Sequence, residues 1–359
     1  MQLKFLILAG AMCMPAALLA QAAPAPESAS QPSRPAFDKA DAEKAVTELA
    51  TALEENFVFP DKGRAYAAML RANLAKGAYA SFLDAPAFAE RVTADLQAVH
   101  KDGHLRLRPA PTEQRGQAQA PNGGPADAND VAKAGWLAPG VAYIDFRGFP
   151  GSEATIAEVR KFLTEHKDAK ALIIDARNNG GGGLAEMNLI FAEIFTQPTT
   201  LVAMDIRQAV EEKHGTPFDA NDPLMRKVSG PATIIRREHR AVPAAQQGGL
   251  KDAKVYLLTS KKTFSAAEHL SLSLKRTRRA TLVGEATGGG AHFGGMAPMG
   301  KGYAAFIPVG RTFDPDTGES WEGTGVQPDV AVPADKALDE ALKLAGVSLS
   351  GQAALASLK

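Results

Sequence analysis

Cysteine is almost absent from this chain of 359 residues, which has one, Cys13. This residue lies inside an N-terminal apolar run that we interpret below as a secretory signal. The mature protein is therefore expected to have no thiol nucleophile, no disulfide and no cysteine-bound metal. An H-E-x-x-H motif and a Cys/His cluster are missing as well, so neither a metal nor another cofactor is predicted.

An excess of one charge sign is also missing. Lys plus Arg number 40 and Asp plus Glu number 40, with no basic block. This balance argues against nucleic acid or an anionic membrane surface as a partner. No stretch of the mature chain reaches ~18 uninterrupted apolar residues, so stable membrane insertion is not expected.

The N-terminus has the features of an export signal. Lys4 precedes the run "FLILAGAMCMPAALLA", and Ala20-Gln21-Ala22 fits a small-residue cleavage site. We predict a signal peptide over 1–22 and therefore a secreted or periplasmic protein. A lipid-modified Cys13 is the rival interpretation, but "GAM" before it matches a lipoprotein site poorly. Residues 23–35, rich in Pro, Ala and Ser, are predicted to be a tether.

Periodicity divides the remaining chain. Residues 36–108 show three amphipathic helical patterns and are predicted to be a helical domain. Residues 109–133 are rich in Gly, Pro and Gln and are predicted to be a linker or loop. Residues 134–345 alternate buried strands with amphipathic helices, which predicts an α/β domain with a mixed, partly parallel sheet. Residues 346–359 are predicted to be a C-terminal tail.

One serine occupies a position that suits two roles. In "KVYLLTSKKTFSAAEHL", Ser265 lies where a buried strand turns into an amphipathic helix. Ser265 and Glu268 have the spacing of a capping box, which would stabilise the helix. A serine hydroxyl at a helix N-terminus is equally well placed to act as a nucleophile.

Two glycine runs follow buried strands, at 180–183 in "DARNNGGGGLAE" and at 288–290 in "GEATGGGAHFGG". Acyl transfer needs two N–H donors aimed at one developing oxyanion. Ala266, directly after Ser265, and Gly181, with Gly180 as the alternative, are the candidates. Tight turns alone would also explain the glycines. Dinucleotide binding is a loose fit, because polar residues separate the strand from the first glycine.

These segments, followed by "IPVGRTFDPDTGESWEGTGVQPDV", together resemble the core of the tail-specific, or C-terminal-processing, serine peptidases. "ENFVFPD" and "LQAVHKDGHLRL" are similar to the small helical domain of the same superfamily. The similarity covers about residues 38–340 and is greatest to the branch that includes interphotoreceptor retinoid-binding protein and the core of tricorn protease. It implies a crotonase-like ββα core and serine peptidase activity without a PDZ module.

The chain departs from the processing-peptidase pattern at the catalytic base. That branch uses a lysine, and Gly290 stands at the matching position. The tricorn-like arrangement implies His104, in "DGHLRL", as the base and Glu322, in "WEGTGV", as the carboxylate that orients it. His292 is the rival base, and Glu268 has a secondary role. The other histidines expected on solvated surfaces are His100, His166, His214 and His239.

The leading hypothesis is therefore a serine-type peptidase that cleaves peptide bonds through an acyl-enzyme on Ser265. Its partner would be a peptide or protein substrate, and the sequence predicts no oligomeric state. With a histidine base, activity is expected to rise through a pH near ~6.5. The alternative is a non-catalytic binder of an apolar ligand on the same fold.

Overall fold

The structure is a computed structural model that describes residues 37–110, 129–216, 218 and 222–358. The predicted signal peptide and tether lie outside the described residues. Most of the predicted linker, residues 111–128, lies outside them as well.

Helices and strands alternate through most of the described chain. The helices are α1 (Lys39–Asn56), α2 (Pro60–Ala75), α3 (Ala85–Val99), α4 (Glu153–Glu165), α5 (Ala185–Ile194), α6 (Gln208–His214), α7 (Ala266–Arg276), α8 (Ala337–Leu344) and α9 (Gly351–Ala356). The strands are β1 (Leu107–Pro109), β2 (Val131–Ala138), β3 (Val141–Phe146), β4 (Ala171–Asp175), β5 (Thr199–Arg207), β6 (Met225–Val228), β7 (Ile234–Ala241), β8 (Lys254–Thr259), β9 (Thr281–Gly284), β10 (His292–Met299), β11 (Tyr303–Phe313) and β12 (Val330–Ala331).

The strands form two six-stranded sheets. In one, β12, β9, β8, β4 and β3 are parallel neighbours, and β2 joins its edge antiparallel to β3. The parallel strands are almost continuously apolar, as expected for a sheet covered on both faces. Helices α4, α5 and α7 contribute to the core on one face, and α8 and α9 to a smaller core that includes Tyr143 and Tyr256.

The second sheet is antiparallel throughout. Its order is β1-β11-β5-β7-β6, and β10 pairs with the other side of the long strand β11. Helices α1 to α3 pack on one face and share a core with Met299, Tyr303, Ala305 and Ile307. The segment that follows α3 is thereby held against this sheet, which fixes the position of His104.

The prediction of a mixed α/β fold with a partly parallel sheet and an N-terminal helical region is confirmed. Its division into two sheets was not predicted. Strand β2 begins at Val131, inside the range predicted as linker, and α9 lies in the predicted tail. Within the described residues, no helix is both long and apolar enough to cross a bilayer.

Strand β7 was not predicted because its sequence, "IIRREHRA", has a run of charges. Two of its three arginines are paired in the folded chain: Arg236 donates to Asp205 at 2.6 Å, and Arg237 donates to Glu211 at 2.6 Å. Cross-strand and local partners thus allow a charged sequence to form a largely enclosed strand.

Helices α1 and α2 cross at Gly63. A Cβ atom at this position would lie 2.4 Å from the carbonyl oxygen of Leu53, a backbone atom that has no rotamer to change. Glycine is therefore required here by close approach and not by its backbone angles.

We expect Gly63→Ala to lower the free energy of unfolding by about 2 kcal/mol, the usual size of an overpacking penalty. Helix propensity alone would instead give a gain of about 1 kcal/mol. Urea unfolding measures the difference, with the exposed Ala68→Gly in the same helix as a propensity control. A variant as stable as the parent would show that the two helices separate without cost.

Candidate active site

Ser265 is held in a strained backbone conformation at the start of α7. Its φ is 56° and its ψ is −119°, a region that non-glycine residues adopt rarely and at a cost of about 1–3 kcal/mol. It is the N-cap residue and Glu268 is the third residue of the helix, as the capping-box spacing predicts. The N–H of Ser265 donates to Glu268 Oε2 at 2.8 Å, and the N–H of Glu268 donates to the carbonyl oxygen of Ser265 at 2.8 Å.

The Glu268 carboxylate connects α7 to the second glycine run. Besides the Ser265 N–H, it accepts hydrogen bonds from the Thr287 hydroxyl at 2.6 Å, the Gly289 N–H at 2.6 Å and the Gly290 N–H at 2.7 Å. Glu268 is fully buried, and burial raises its pKa while the four hydrogen bonds act in the opposite direction. This carboxylate therefore fixes the distance between the serine turn and the glycine loop.

The first glycine run lies directly against Ser265. A Cβ atom on Gly181 would be 2.7 Å from the Ser265 Cβ and 3.0 Å from the Ala266 nitrogen, so any other residue would collide with the serine turn. Three N–H groups of this run are already engaged: Gly180 donates to the Arg147 carbonyl at 3.2 Å, Gly181 to Asn179 Oδ1 at 2.8 Å and Gly183 to the Phe149 carbonyl at 2.6 Å.

The dinucleotide alternative does not fit this loop. A Cβ on Gly182 would lie 2.1 Å from the Phe149 carbonyl oxygen, so the run packs on protein backbone. Asp205, the residue that would bind a ribose, accepts from both Arg236 and Arg311 and is buried. The backbone and the carboxylate that would bind a pyrophosphate and a ribose therefore already contact other parts of the protein.

His104 reaches the serine turn from the helical region. Its ring lies between Phe264, the residue before Ser265, and Phe306 of β11, with centroid distances of 4.7 and 4.8 Å. Its Nδ1 is buried and has no hydrogen-bond partner among the described residues. Burial lowers the pKa of His104 to about 4, against the opposing charge of Asp102.

Glu322 contacts the backbone beside His104 and not its ring. Its Oε1 accepts from the Gly103 N–H at 2.6 Å, and its Oε2 accepts from the Ala291 N–H at 2.6 Å and the His292 N–H at 3.2 Å. The expected hydrogen bond that would orient the imidazole is thus replaced by a bridge between the two backbone segments.

His292 has the carboxylate partner that His104 lacks. Its Nδ1 lies 2.7 Å from Asp102 Oδ2, and its ring makes edge contacts with Phe57 and Phe59. Asp102 Oδ1 accepts from the N–H groups of His104 and Leu105, both at 2.9 Å. One buried carboxylate therefore shapes the His104 turn and holds His292 at the same time.

Asp102, His292 and Glu322 have one ligand atom each within 4.8 Å of one another, which raises the question of a metal. Every carboxylate oxygen of this group already accepts an N–H donor, as described above. Backbone N–H dipoles directed at these oxygens compete with a cation for the same lone pairs. We therefore interpret the group as a hydrogen-bonded cluster.

Sequence reasoning missed several members of the site. Asp102 precedes His104 by two residues, and this Asx-turn spacing was the available signal. Asn179, fully buried in the first glycine loop, has an Nδ2 without a partner among the described residues. Arg177, two residues before Asn179, forms a bidentate pair with Asp175.

Two histidines expected at the surface are buried. His166 packs on Phe162. The Nδ1 of His239 shares a hydrogen bond of 2.8 Å with the Nε2 of His269, which lies one turn after Ser265 on α7. The other ring nitrogen of His239 lies 2.8 Å from Asn188 Oδ1. Burial lowers the pKa of His239 to about 3 and also lowers the pKa of His269. Both imidazoles are therefore neutral at pH 7, and their hydrogen bond connects α7 to strand β7.

Comparison with known proteins identifies the family of the chain. The model of peptidase family S41 matches residues 140–332, more than half of the chain. The model described as the N-terminal domain of peptidase S41 in eukaryotic IRBP matches residues 39–133.

Three solved structures share the fold. The photosystem II D1 C-terminal processing protease is 16% identical, with a TM-score of 0.51, over 82% of this chain and 93% of that one. A candidate peptidase from Parabacteroides merdae ATCC 43184 is 18% identical, with a TM-score of 0.53, over 88% and 96%. A lipoprotein from Streptococcus agalactiae is 16% identical, with a TM-score of 0.52, over 84% and 95%.

The fold and the two matched family models define a hydrolase of the serine peptidase class. The chain belongs to peptidase family S41, and the resemblance described from the sequence is confirmed.

The Glu268 carboxylate provides a test of the site's architecture. Glu268→Gln replaces an acceptor oxygen by an NH₂ group that faces N–H and O–H donors. We expect the free energy of unfolding to fall by about 2–4 kcal/mol, because buried donors are left unpaired. Chemical unfolding measures it, and the exposed Glu165→Gln should change stability by less than about 0.5 kcal/mol. Equal stabilities would mean that the four contacts are not a structural constraint.

Proposed function

We propose that the protein cleaves peptide bonds through an acyl-enzyme on Ser265, with His104 as general base. The observation that supports this most directly is the convergence of three separate segments: the strained Ser265 turn, the Gly181 loop against it, and the His104 ring packed on Phe264. A helix cap alone would require neither the left-handed backbone at Ser265 nor a glycine pressed against its Cβ.

The chemistry follows from these positions. The Ser265 hydroxyl attacks the substrate carbonyl, and the His104 imidazole takes its proton. The same imidazolium then protonates the departing amine, leaving an ester on Ser265. Water then attacks this ester while His104 takes its proton. The C–Oγ bond breaks, the acyl group leaves as a carboxylic acid, and His104 returns the proton to Ser265.

The oxyanion would be stabilised first by the Ala266 N–H, at the N-terminus of α7. The second proposed donor is the Gly181 N–H, which must exchange Asn179 Oδ1 for the substrate oxygen. Gly180 is the alternative, with its N–H now on the Arg147 carbonyl. A turn of this glycine loop on substrate binding would complete the hole.

Glu322 acts in this proposal by positioning. It holds the Gly103 N–H, and so the turn that presents His104, instead of bonding to the ring. The position of His104 favours it as the base, because its ring packs on Phe264, the residue before Ser265. His292 has the carboxylate partner of a triad base, Asp102, but its ring contacts Phe57 and Phe59. We further propose a secreted or periplasmic location, as the N-terminal signal pattern indicates.

A fluorophosphonate probe, which reacts with activated serines, tests the nucleophile. We expect the protein to be labelled and Ser265→Ala to lose both the label and ~10³-fold or more of the peptidase activity. Stability should change by no more than ~2 kcal/mol, the size of a lost cap. Ser81→Ala, at an exposed helix-flanking site, should keep full labelling.

Absence of labelling in the folded parent protein would contradict the enzyme hypothesis. It would favour the alternative, a binder of an apolar ligand on the same fold.

The pH dependence tests the base. A histidine acts as a base only when neutral, and burial lowers the pKa of His104 to about 4. The free-enzyme profile of kcat/KM should therefore stay flat as the pH falls below 6.5 and decline only towards pH 4. This revises the value near ~6.5 expected for an unperturbed histidine.

His104→Ala should abolish turnover at every pH. If His292→Ala is inactive while His104→Ala keeps full activity, the base lies in the glycine loop and the assignment is wrong.

A further inference from the structure

Strand β10 forms an edge of the antiparallel sheet next to the candidate active site. Among the described residues it pairs with β11 and with no other strand. It begins at His292, directly after the glycine run that Glu268 and Glu322 hold through the N–H groups of 289–292. The edge therefore extends away from the serine turn, with one register shift between Phe293 and Gly294.

This edge has little of the protection that sheet edges usually have. Its sequence, "HFGGMAPM", contains no lysine, arginine, aspartate or glutamate. Gly294, Gly295 and Met296 are exposed, and Met296 is 55% exposed. Natural edge strands commonly use charged residues or proline to prevent another strand from pairing. Here Pro298 and the register shift between Phe293 and Gly294 are the two features that limit such pairing, and both leave Met296 open.

The direction of each backbone group on β10 follows from its partners on β11. In an antiparallel pair, the N–H and C=O of one residue point to the same side, and pairs alternate between bonded and non-bonded. Met296 is opposite Phe306, whose N–H donates to the Arg106 carbonyl, away from β10. Met296 therefore belongs to a non-bonded pair, and its own N–H and C=O face the open edge.

Two further observations give the same alternation. Gly294 is opposite Pro308, which has no N–H and whose carbonyl accepts from the Val58 N–H. Pro298, opposite Ala304, is at a position where its missing N–H would face outward, as is required of proline in an edge strand. Gly294, Met296 and Pro298 thus present their backbone groups outward, at intervals of two residues.

We propose that an extended peptide substrate pairs as an additional strand along β10, with its main chain bonded to Gly294 and Met296. This rests on the proposed peptidase function and adds the mode of substrate recognition. Continuity with the Ser265 site favours a substrate over a second copy of this chain as the occupant. The outward groups span four residue intervals, about 13 Å, which suits about four residues of a peptide.

The same alternation sets where substrate side chains would point. Met296 and Phe306 are cross-strand partners, so their side chains lie on one face of the sheet. Phe306 is the residue on which His104 stacks. Alternate side chains of the bound peptide would face this Met296–Phe306 surface, and the backbone contacts would accept many sequences.

A series of peptides tests the pairing. In a cleavable octapeptide, each backbone N–H is replaced by N-methyl, one position at a time, and kcat/KM is measured. We expect losses of roughly tenfold at every second residue on one side of the scissile bond, the effect of a lost hydrogen bond plus a clash, and less than threefold between them. A profile without this alternation would overturn the proposal.

Two substitutions in β10 provide the reciprocal test. Met296→Pro removes an outward N–H that β11 does not use, and should raise KM about fivefold or more. Pro298→Ala adds an outward N–H and should lower KM about threefold. KM values for both variants within twofold of the parent would contradict the proposal, and if Met296→Pro fails to fold, the peptide series still decides.

The outcomes separate this inference from the proposed function. If the parent protein resists the fluorophosphonate probe, the peptidase assignment itself fails. If it is labelled and cleaves peptides but the N-methyl profile is flat, only pairing on β10 is wrong. A dimer in sedimentation velocity that Met296→Pro converts to monomer, without a change in KM, would identify β10 as a subunit contact and overturn the proposal.

Discussion

The geometry of the site depends on one buried carboxylate. Glu268 accepts from the Ser265 N–H, from Thr287 and from the N–H groups of Gly289 and Gly290. These donors belong to a helix start and to a loop that follows another strand, and no apolar contact could specify their spacing as closely. A buried carboxylate without its partners would cost several kcal/mol, so the four contacts must form together.

Two further carboxylates, Asp102 and Glu322, connect the helical region to this centre. Asp102 shapes the turn of His104 and holds His292, while Glu322 joins the Gly103 N–H to the Ala291 N–H. His104 therefore lies on a turn that is fixed from both sides. In the proposed mechanism this stiffness replaces a direct carboxylate–imidazole bond, and burial keeps the imidazole neutral at physiological pH.

Much of the fold was predictable because periodicity is local. The capping-box positions of Ser265 and Glu268, the parallel strands and the N-terminal helices all follow from patterns within about 20 residues. The resemblance to a peptidase family identified His104 and Glu322 as site candidates. Local patterns in one sequence could not have shown that these two residues lie close together.

The missed features depend on contacts between distant segments. Strand β7 was not predicted because its sequence is rich in charged residues, and the partners of two of its arginines, Asp205 and Glu211, lie outside the strand. The role of Asp102 requires His292, which is 190 positions away in the sequence. The engagement of the Gly181 N–H by Asn179 is a matter of loop conformation that composition does not determine.

The central claim is that Ser265 forms a covalent acyl intermediate. The direct measurement is rapid acid quenching of the protein during turnover of a peptide ester, followed by mass spectrometry of the tryptic peptide spanning 263–275. The account predicts an added acyl mass that fragmentation places on Ser265 and that is absent in Ser265→Ala. Continued turnover with no acyl group on this peptide, or with the acyl group on another residue, would contradict it.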